Sequence, residues 1–303
     1  MALAASPLAA QPTFVEVWAE RGNGVGQLRA PTGVAVNAGD TLYVSDAFLH
    51  RITFFDASGS VLGAWLPAGS GPGQLQSPDG LAVDAAGDVY VADRGNHRIQ
   101  RFHPDGGFVE AFGMFGEGAG EFWSPGGITL THDRQLYVAD HGNRRVQHLD
   151  WSQSPPRFVR ILGDSLTPPL VGPTDVVFDS QGLLSIVDLL GHEIVQLDGT
   201  GAEVRRFRGN GLDYELPAPL AAIADAGTLH VSDVLNGFVE TFDASGQRLY
   251  GWPRNGLQSP GRMAIDSRRR LFIVSGQEGV VFVFQLAVGV RAGSWAEVKA
   301  RFR

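Results

Sequence analysis

One phrase recurs along the chain: a proline opens an apolar run, a turn containing glycine follows, and an aromatic-Val-small-Asp run closes it. The first copy is Pro31-Thr-Gly-Val-Ala-Val36 with Leu42-Tyr-Val-Ser-Asp46. The second is Pro78-Asp-Gly-Leu-Ala-Val83 with Val89-Tyr-Val-Ala-Asp93, and the third is Pro125-Gly-Gly-Ile-Thr-Leu130 with Leu136-Tyr-Val-Ala-Asp140. Weaker copies start at Pro173, Pro219 and Pro260, so the prolines step by 47, 47, 48, 46 and 41 residues. Six units of this length match the four-stranded blade of a propeller, whose period is roughly 40–50 residues.

Each unit reads as four short strands. In the second, Leu81–Val83, Val89–Ala92, Ile99–Phe102 and Phe108–Phe112 form strands a to d, joined by Asp84-Ala-Ala-Gly87 and Pro104-Asp-Gly-Gly107 turns. Runs such as Val280-Val-Phe-Val-Phe284 are apolar throughout, as expected of strands covered on both faces. The sixth unit lacks a clear d strand, while Phe14-Val-Glu-Val-Trp18 matches Phe108-Val-Glu-Ala-Phe112. The expected fold is therefore all-β: a six-bladed β-propeller of four-stranded antiparallel blades, closed by an N-terminal strand at residues 14–18 in the last blade. A flexible leader over 1–12, a propeller over 13–288 and a C-terminal tail over 289–303 are expected. In the tail, the capping-box pattern Ser294-Trp-Ala-Glu297 with Val298 and Phe302 predicts a short helix.

Composition narrows the chemistry. The 303 residues contain 40 glycines and 17 prolines, the punctuation of many short strands. Cysteine is absent and Lys299 is the only lysine, which excludes disulfides, thiolate metal sites and a cysteine nucleophile and confines Schiff-base chemistry to the tail. With 24 Lys and Arg against 32 Asp and Glu the formal charge is -8, so nucleic acid is not an expected partner. No run approaches the about 18 apolar residues of a membrane span, and no membrane association is expected. The leader has small residues but no basic n-region, so a cytoplasmic location is favoured, with export left open for a trimmed signal. A monomer is expected.

The phrases Tyr90-Val-Ala-Asp93-Arg-Gly-Asn-His-Arg98-Ile and Tyr137-Val-Ala-Asp140-His-Gly-Asn-Arg-Arg145-Val resemble the NHL repeat. The resemblance runs over nearly the whole chain and is most specific in the first three units. It implies a six-bladed propeller without fixing one function, since NHL-type propellers include protein-binding modules, RNA-binding domains, sensor ectodomains and amidating lyases. The amidating lyases carry zinc on histidines directly after the repeat proline. Here those positions hold Thr32, Asp79, Gly126, Thr174, Leu220 and Gly261, so the three-histidine zinc site does not carry over.

Recurrent features point to scaffolding. The pairs Asp46/Arg51, Asp93/Arg98 and Asp140/Arg145 share one spacing and are expected to brace the b–c turns. The loops Gly22–Gly26, Gly69–Gly73 and Gly116–Gly120 lead into strands, whereas a phosphate loop opens a helix. Positions that differ between blades carry more functional information. Around one channel mouth they place Asp79, Asp175, Arg94, Arg262 and His141, with Phe48, Leu190 and Leu235 as apolar neighbours and Trp123 on the same face. Apolar walls with a few polar groups suit a small amphipathic ligand or a peptide.

An enzyme is favoured over pure binding. In the catalytic version His141 is the acid or base, since histidine as a residue type titrates near neutrality; Asp79 or Asp175 orients it, and Arg94 or Arg262 stabilises an anion. Lyase, cyclase or hydrolase chemistry fits such a set. No metal site or cofactor is expected, calcium on the channel carboxylates being the unsupported exception. The alternative is a protein-interaction module using Phe48, Leu190, Leu235, Trp123 and Tyr214. A closed-bottom funnel favours the small molecule, and a flat apolar face over a filled channel favours the module.

Overall fold

The computed structural model describes residues 11–65, 68–208, 216–252 and 257–286. Every proline-led phrase becomes one four-stranded antiparallel sheet, and six such blades make up the propeller. In blade 2, strand a is Pro78–Val83, b is Val89–Asp93, c is Arg98–Phe102 and d is Phe108–Phe112. The a strands of blades 1, 3, 4, 5 and 6 are Pro31–Val36, Pro125–Leu130, Pro173–Phe178, Pro219–Asp225 and Pro260–Ile265. Proline is tolerated at the first position of a strand. Directly after it the a–b register shifts in every blade, an irregularity that re-aims the next two side chains. Those two positions build the channel mouth.

Instead of one central core there are six, each between adjacent blades. Ala35, Tyr43 and Trp65 of blade 1 pack with Leu81, Val91 and Phe102 of blade 2, and the other clusters repeat the arrangement. A sheet sandwiched between two others must be apolar on both faces, which accounts for the unbroken apolar runs.

The ring closes as expected. Thr13–Trp18 pairs antiparallel with Val280–Gln285 and becomes the d strand of blade 6. Trp18 is buried at the blade 6/blade 1 seam, its ring 5.0 Å from Phe272 and 6.3 Å from Phe55. Trp65 and Trp252 end the d strands of blades 1 and 5 in the same way. Residues 1–10 of the leader and the tail helix expected around Ser294–Phe302 lie outside the described residues. Among the described residues the helical segments are two short 3-10 turns, Arg94–Asn96 and His141–Asn143, and no helix is long and apolar enough to cross a membrane.

The expected Asp/Arg brace holds in two of three blades. Asp93 Oδ2 accepts from Asn96, Arg98 and Gln100 at 2.8–2.9 Å, and Arg98 also donates to the carbonyls of Ser70, Gly71 and Gln74. Asp140, Asn143, Arg145 and Gln147 repeat the cluster. The glycine-rich loops are thus clamped by an arginine through their carbonyls, a donor pattern opposite to that of a phosphate cradle. In blade 1, Leu49 and Thr53 replace the asparagine and glutamine. Asp46 there accepts backbone N–H groups of Arg29, Ala30, Phe48 and Leu49, while Arg51 donates to the carbonyls of Asn23, Gly24 and Gln27.

Candidate functional site

Each a strand is hydrogen-bonded on one side only, to its b strand, and its other edge faces the channel. Backbone groups on such an edge need water or inserted side chains as partners. At the mouth where the b–c turns and d–a loops gather, the chain inserts its own. Arg262 of blade 6 donates from Nη2 to the Thr174 carbonyl at 2.7 Å and from Nη1 to the Thr32 carbonyl at 3.4 Å. Its Nη1 also pairs with Asp79 Oδ1, and its Nε lies 3.4 Å from Asp175 Oδ1. Asp175 Oδ2 in turn accepts the Ala222 N–H at 3.1 Å. One guanidinium therefore bridges blades 1, 2, 4 and 6 across the axis, and Asp175 adds blade 5.

All three side chains are buried. Burial pushes the Asp175 carboxyl up to about 6, against the pull of Arg262. For Arg262, burial works against the charged form, but Asp79 and Asp175 outweigh it and raise its pKa. Space for the bridge comes from glycine. A Cβ on Gly127 would sit 1.7 Å from Asp175 Oδ1, and one on Gly126 would sit 2.8 Å from the Thr174 carbonyl oxygen. Gly33 and Gly80, at the position of Gly127 in blades 1 and 2, face the backbone of the next blade as closely.

Above the bridge lies Arg94, its Nη1 3.6 Å from Asp79 Oδ2 and its side chain 45 % exposed. His141 occupies the same place in blade 3. Its Nδ1 is 3.2 Å from the Pro173 carbonyl oxygen, which can only accept, so Nδ1 is the donor in that bond and Nε2 is left free of it.

Residues 75–102, most of blade 2 and the loop before it, match the NHL repeat family. The chain is a six-bladed propeller with an NHL repeat in blade 2. No curated protein matches this propeller by sequence. Among solved structures it is similar to a streptogramin B lyase at 13% identity and a TM-score of 0.66, over 91% of this chain and 98% of that one. A gluconolactonase from Xanthomonas campestris is 20% identical with a TM-score of 0.66, over 92% and 98%. A chain of a nidogen/laminin complex is 20% identical with a TM-score of 0.60, over 78% and 85%. At these identities the likeness is one of fold.

The propeller thus brings Asp79, Asp175 and Arg262 into one cluster with Arg94 over it. His141 is oriented by the Pro173 carbonyl, while Asp79 and Asp175, the expected orienting groups, are engaged by Arg262. The same guanidinium stands between the two carboxylates that calcium would need. Among the described residues no group of three or more His, Asp or Glu side chains is placed to hold a metal.

The apolar candidates point outward: Phe48, Leu190 and Leu235 are 53%, 55% and 74% exposed. Phe48 carries the Arg29 guanidinium 3.9 Å over its ring. Trp123, 45% exposed, covers Gly142 next to His141 and meets Phe115 edge-on at 6.0 Å. Tyr214 lies outside the described residues. Phe115 and Met114, both more than 60% exposed, belong to this patch and were not anticipated. The available signal was an apolar pair heading a loop that begins Glu20-Arg21 in the first copy. Arg206 and Arg208 pair with Glu193, and Arg268, Arg269 and Arg270 pair with Asp40, Asp225 and Asp266 in turn.

Proposed function

We propose that this propeller binds an amphipathic small molecule at the b–c mouth of its channel. An acceptor-bearing head group sits on Arg94 above the Asp79–Arg262–Asp175 floor, and an apolar body rests on Phe48, Leu190 or Leu235. The observation that carries this is the state of Arg94. Its guanidinium is loosely held at 3.6 Å by a carboxylate already paired with Arg262, and it remains half exposed where the other mouth charges are buried and paired. A carboxylate, carbonyl or lactone oxygen fits such a donor. Propellers of similar fold named as a lyase and a gluconolactonase make turnover the favoured extension. In that extension Nε2 of His141 accepts a proton, Arg94 stabilises the developing negative charge, and Asp79 holds Arg94 in place. The reaction class is lyase, cyclase or hydrolase.

A second reading, a module that docks a protein segment, is favoured by the exposure of Phe48, Leu190, Leu235 and Trp123 on one face. One screen separates the two. Aryl-alkyl carboxylates, lactones and amides are titrated into the protein, with thermal shift and protein-detected NMR as readouts. Small-molecule binding by the wild type that is lost in Arg94→Gln supports the mouth site. Failure of every small probe, with a peptide library selecting binders sensitive to Leu235→Ser, supports the docking module instead.

A further inference from the structure

The b–c turn of every blade ends on a residue in the left-handed region: His50, His97, Arg144, His192, Gly237 and Gly279 in chain order, with φ between 53° and 69°. Three of these are histidines, and each reaches from its own turn to the loop that leads into the next blade. His50 Nδ1 accepts the Ser77 N–H at 2.9 Å, and His97 Nδ1 accepts the Ser124 N–H at 3.0 Å. His192 meets its loop the other way round, its Nδ1 2.6 Å from the Pro217 carbonyl oxygen. A backbone N–H only donates and a carbonyl only accepts. The contacts of His50 and His97 therefore exist only in the neutral ring with its hydrogen on Nε2. That of His192 survives in the imidazolium, which donates from both nitrogens.

The two contacts that need a neutral ring fall on the turns that carry Phe48 and Arg94. Histidine as a residue type takes up a proton between about pH 5 and 8. A protonated ring would aim Nδ1–H at another N–H, so it must swing toward water, and the serine N–H loses its partner. The elements meeting at His50 carry Arg29, Asp46 and Arg51 on its own blade and Arg94 on the next turn, while residues 69–77, the loop it contacts, carry no charge. Those meeting at His97 carry Asp93, Arg94 and Arg98 on its own turn, Glu117 and Glu121 on the loop, and His141 and Arg144 on the next turn. Of the carboxylates, Asp93 is held by Arg98 and Glu121 by the Gly118 N–H. Among the described residues neither imidazole has an ion pair like that of His103 with Asp88, which would hold a proton in place. We propose that His50 and His97 are acid-released latches. Neutral, they pin the Phe48 and Arg94 turns to blades 2 and 3; on proton uptake they release both turns from the next blade, while His192 keeps the Leu190 turn pinned. Where the mouth site proposed above is occupied, the consequence is a ligand held at neutral pH and released in mild acid, but the latch stands without that site.

The test is amide hydrogen exchange by NMR on the full chain at about pH 7.5 and about pH 5.5, corrected for the intrinsic rate. No ligand is added, so failure of the mouth site leaves the result untouched. The Ser77 and Ser124 amides should lose about tenfold or more of their protection in acid, while those of the buried Val91 and Ile186 keep theirs. At about pH 7.5 the imidazole nitrogens of His50 and His97 should report a hydrogen on Nε2 and those of His192 a hydrogen on Nδ1. The double variant His50→Asn, His97→Asn tolerates the left-handed backbone and does not titrate there, so it should abolish the pH dependence at both serines. Protection of Ser77 and Ser124 that is equal at the two pH values, or that falls together with the core, overturns the proposal. A fall that persists in the double variant does so too, as does a hydrogen on Nδ1 of His50 and His97 at the higher pH.

Discussion

Arg262 and Asp79 are 183 residues apart in the chain and lie on blades 6 and 2, yet they pair inside the channel mouth. The guanidinium answers the carbonyls of two inner strands and the charges of two aspartates, so it serves as a spoke across a ring otherwise held by neighbour contacts. Removing one member of a buried ion cluster strands the rest. Arg262→Leu should therefore cost about 3–5 kcal/mol in urea unfolding. The triple variant Asp79→Asn, Asp175→Asn, Arg262→Leu should recover much of that loss. A single variant within about 1 kcal/mol of wild type, the range of exposed pairs, would show that the bridge is dispensable.

Closure through the N-terminal strand predicts a large effect at one residue. Trp18→Ala empties the blade 6/blade 1 seam between Phe55 and Phe272. The expected loss is about 3–5 kcal/mol, as for other buried aromatics, and deletion of residues 11–18 should destabilise at least as much. Thermal and urea melts indistinguishable from wild type would contradict closure by this strand.

Space for the bridge can be tested at a glycine. Gly127→Ala places a methyl 1.7 Å from Asp175 Oδ1, so strand a of blade 3 or the bridge must shift. A loss of about 1–3 kcal/mol or more is expected. Gly39→Ala, where the nearest atom is an Asn37 side-chain oxygen at 3.4 Å, is the control and should be nearly neutral. Equal melting temperatures for the two variants would contradict the packing described.

Two buried groups tune stability with pH in opposite directions. Asp175 is raised to about 6 by burial, so the folded state holds its proton more tightly than the unfolded chain. Its contribution is full below about pH 4, where the unfolded carboxyl titrates, and is lost as pH rises through about 6. His230 is lowered to about 4 by burial, so its contribution is present above about 6.5 and is lost as pH falls toward 4. The two partly offset in wild type, and variants separate them. From pH 4 to 7 the melting temperature of Asp175→Asn should rise relative to wild type, and His230→Asn should be less sensitive to acid. Differences from wild type that stay constant with pH would contradict both assignments.

The fold was legible because each proline-led phrase carries its own turns and because Phe14–Trp18 reads like the d strand of blade 2. The mouth positions were legible as a set for the same reason. Their pairing was not. Spacing along the chain says that Asp79, Asp175 and Arg262 share a rim, but which side chain spans the axis depends on ring geometry and on glycines in blade 3 that leave room. The spacing of Asp46 and Arg51 predicts the same brace, but Asp93 and Asp140 also rely on an asparagine and a glutamine that blade 1 replaces with Leu49 and Thr53. His141 was placed at the mouth, but a backbone carbonyl, silent in sequence, turned out to orient it.

The most direct test of the mouth site is calorimetric titration of one hit from the carboxylate, lactone and amide screen into wild-type protein and Arg94→Gln. Arg94 is half exposed, so its replacement should leave the melting temperature within about a degree while reducing affinity at least tenfold, the loss of one charge-assisted hydrogen bond. Equal affinity in the two proteins would contradict a ligand head seated on Arg94 above the Asp79–Arg262–Asp175 floor.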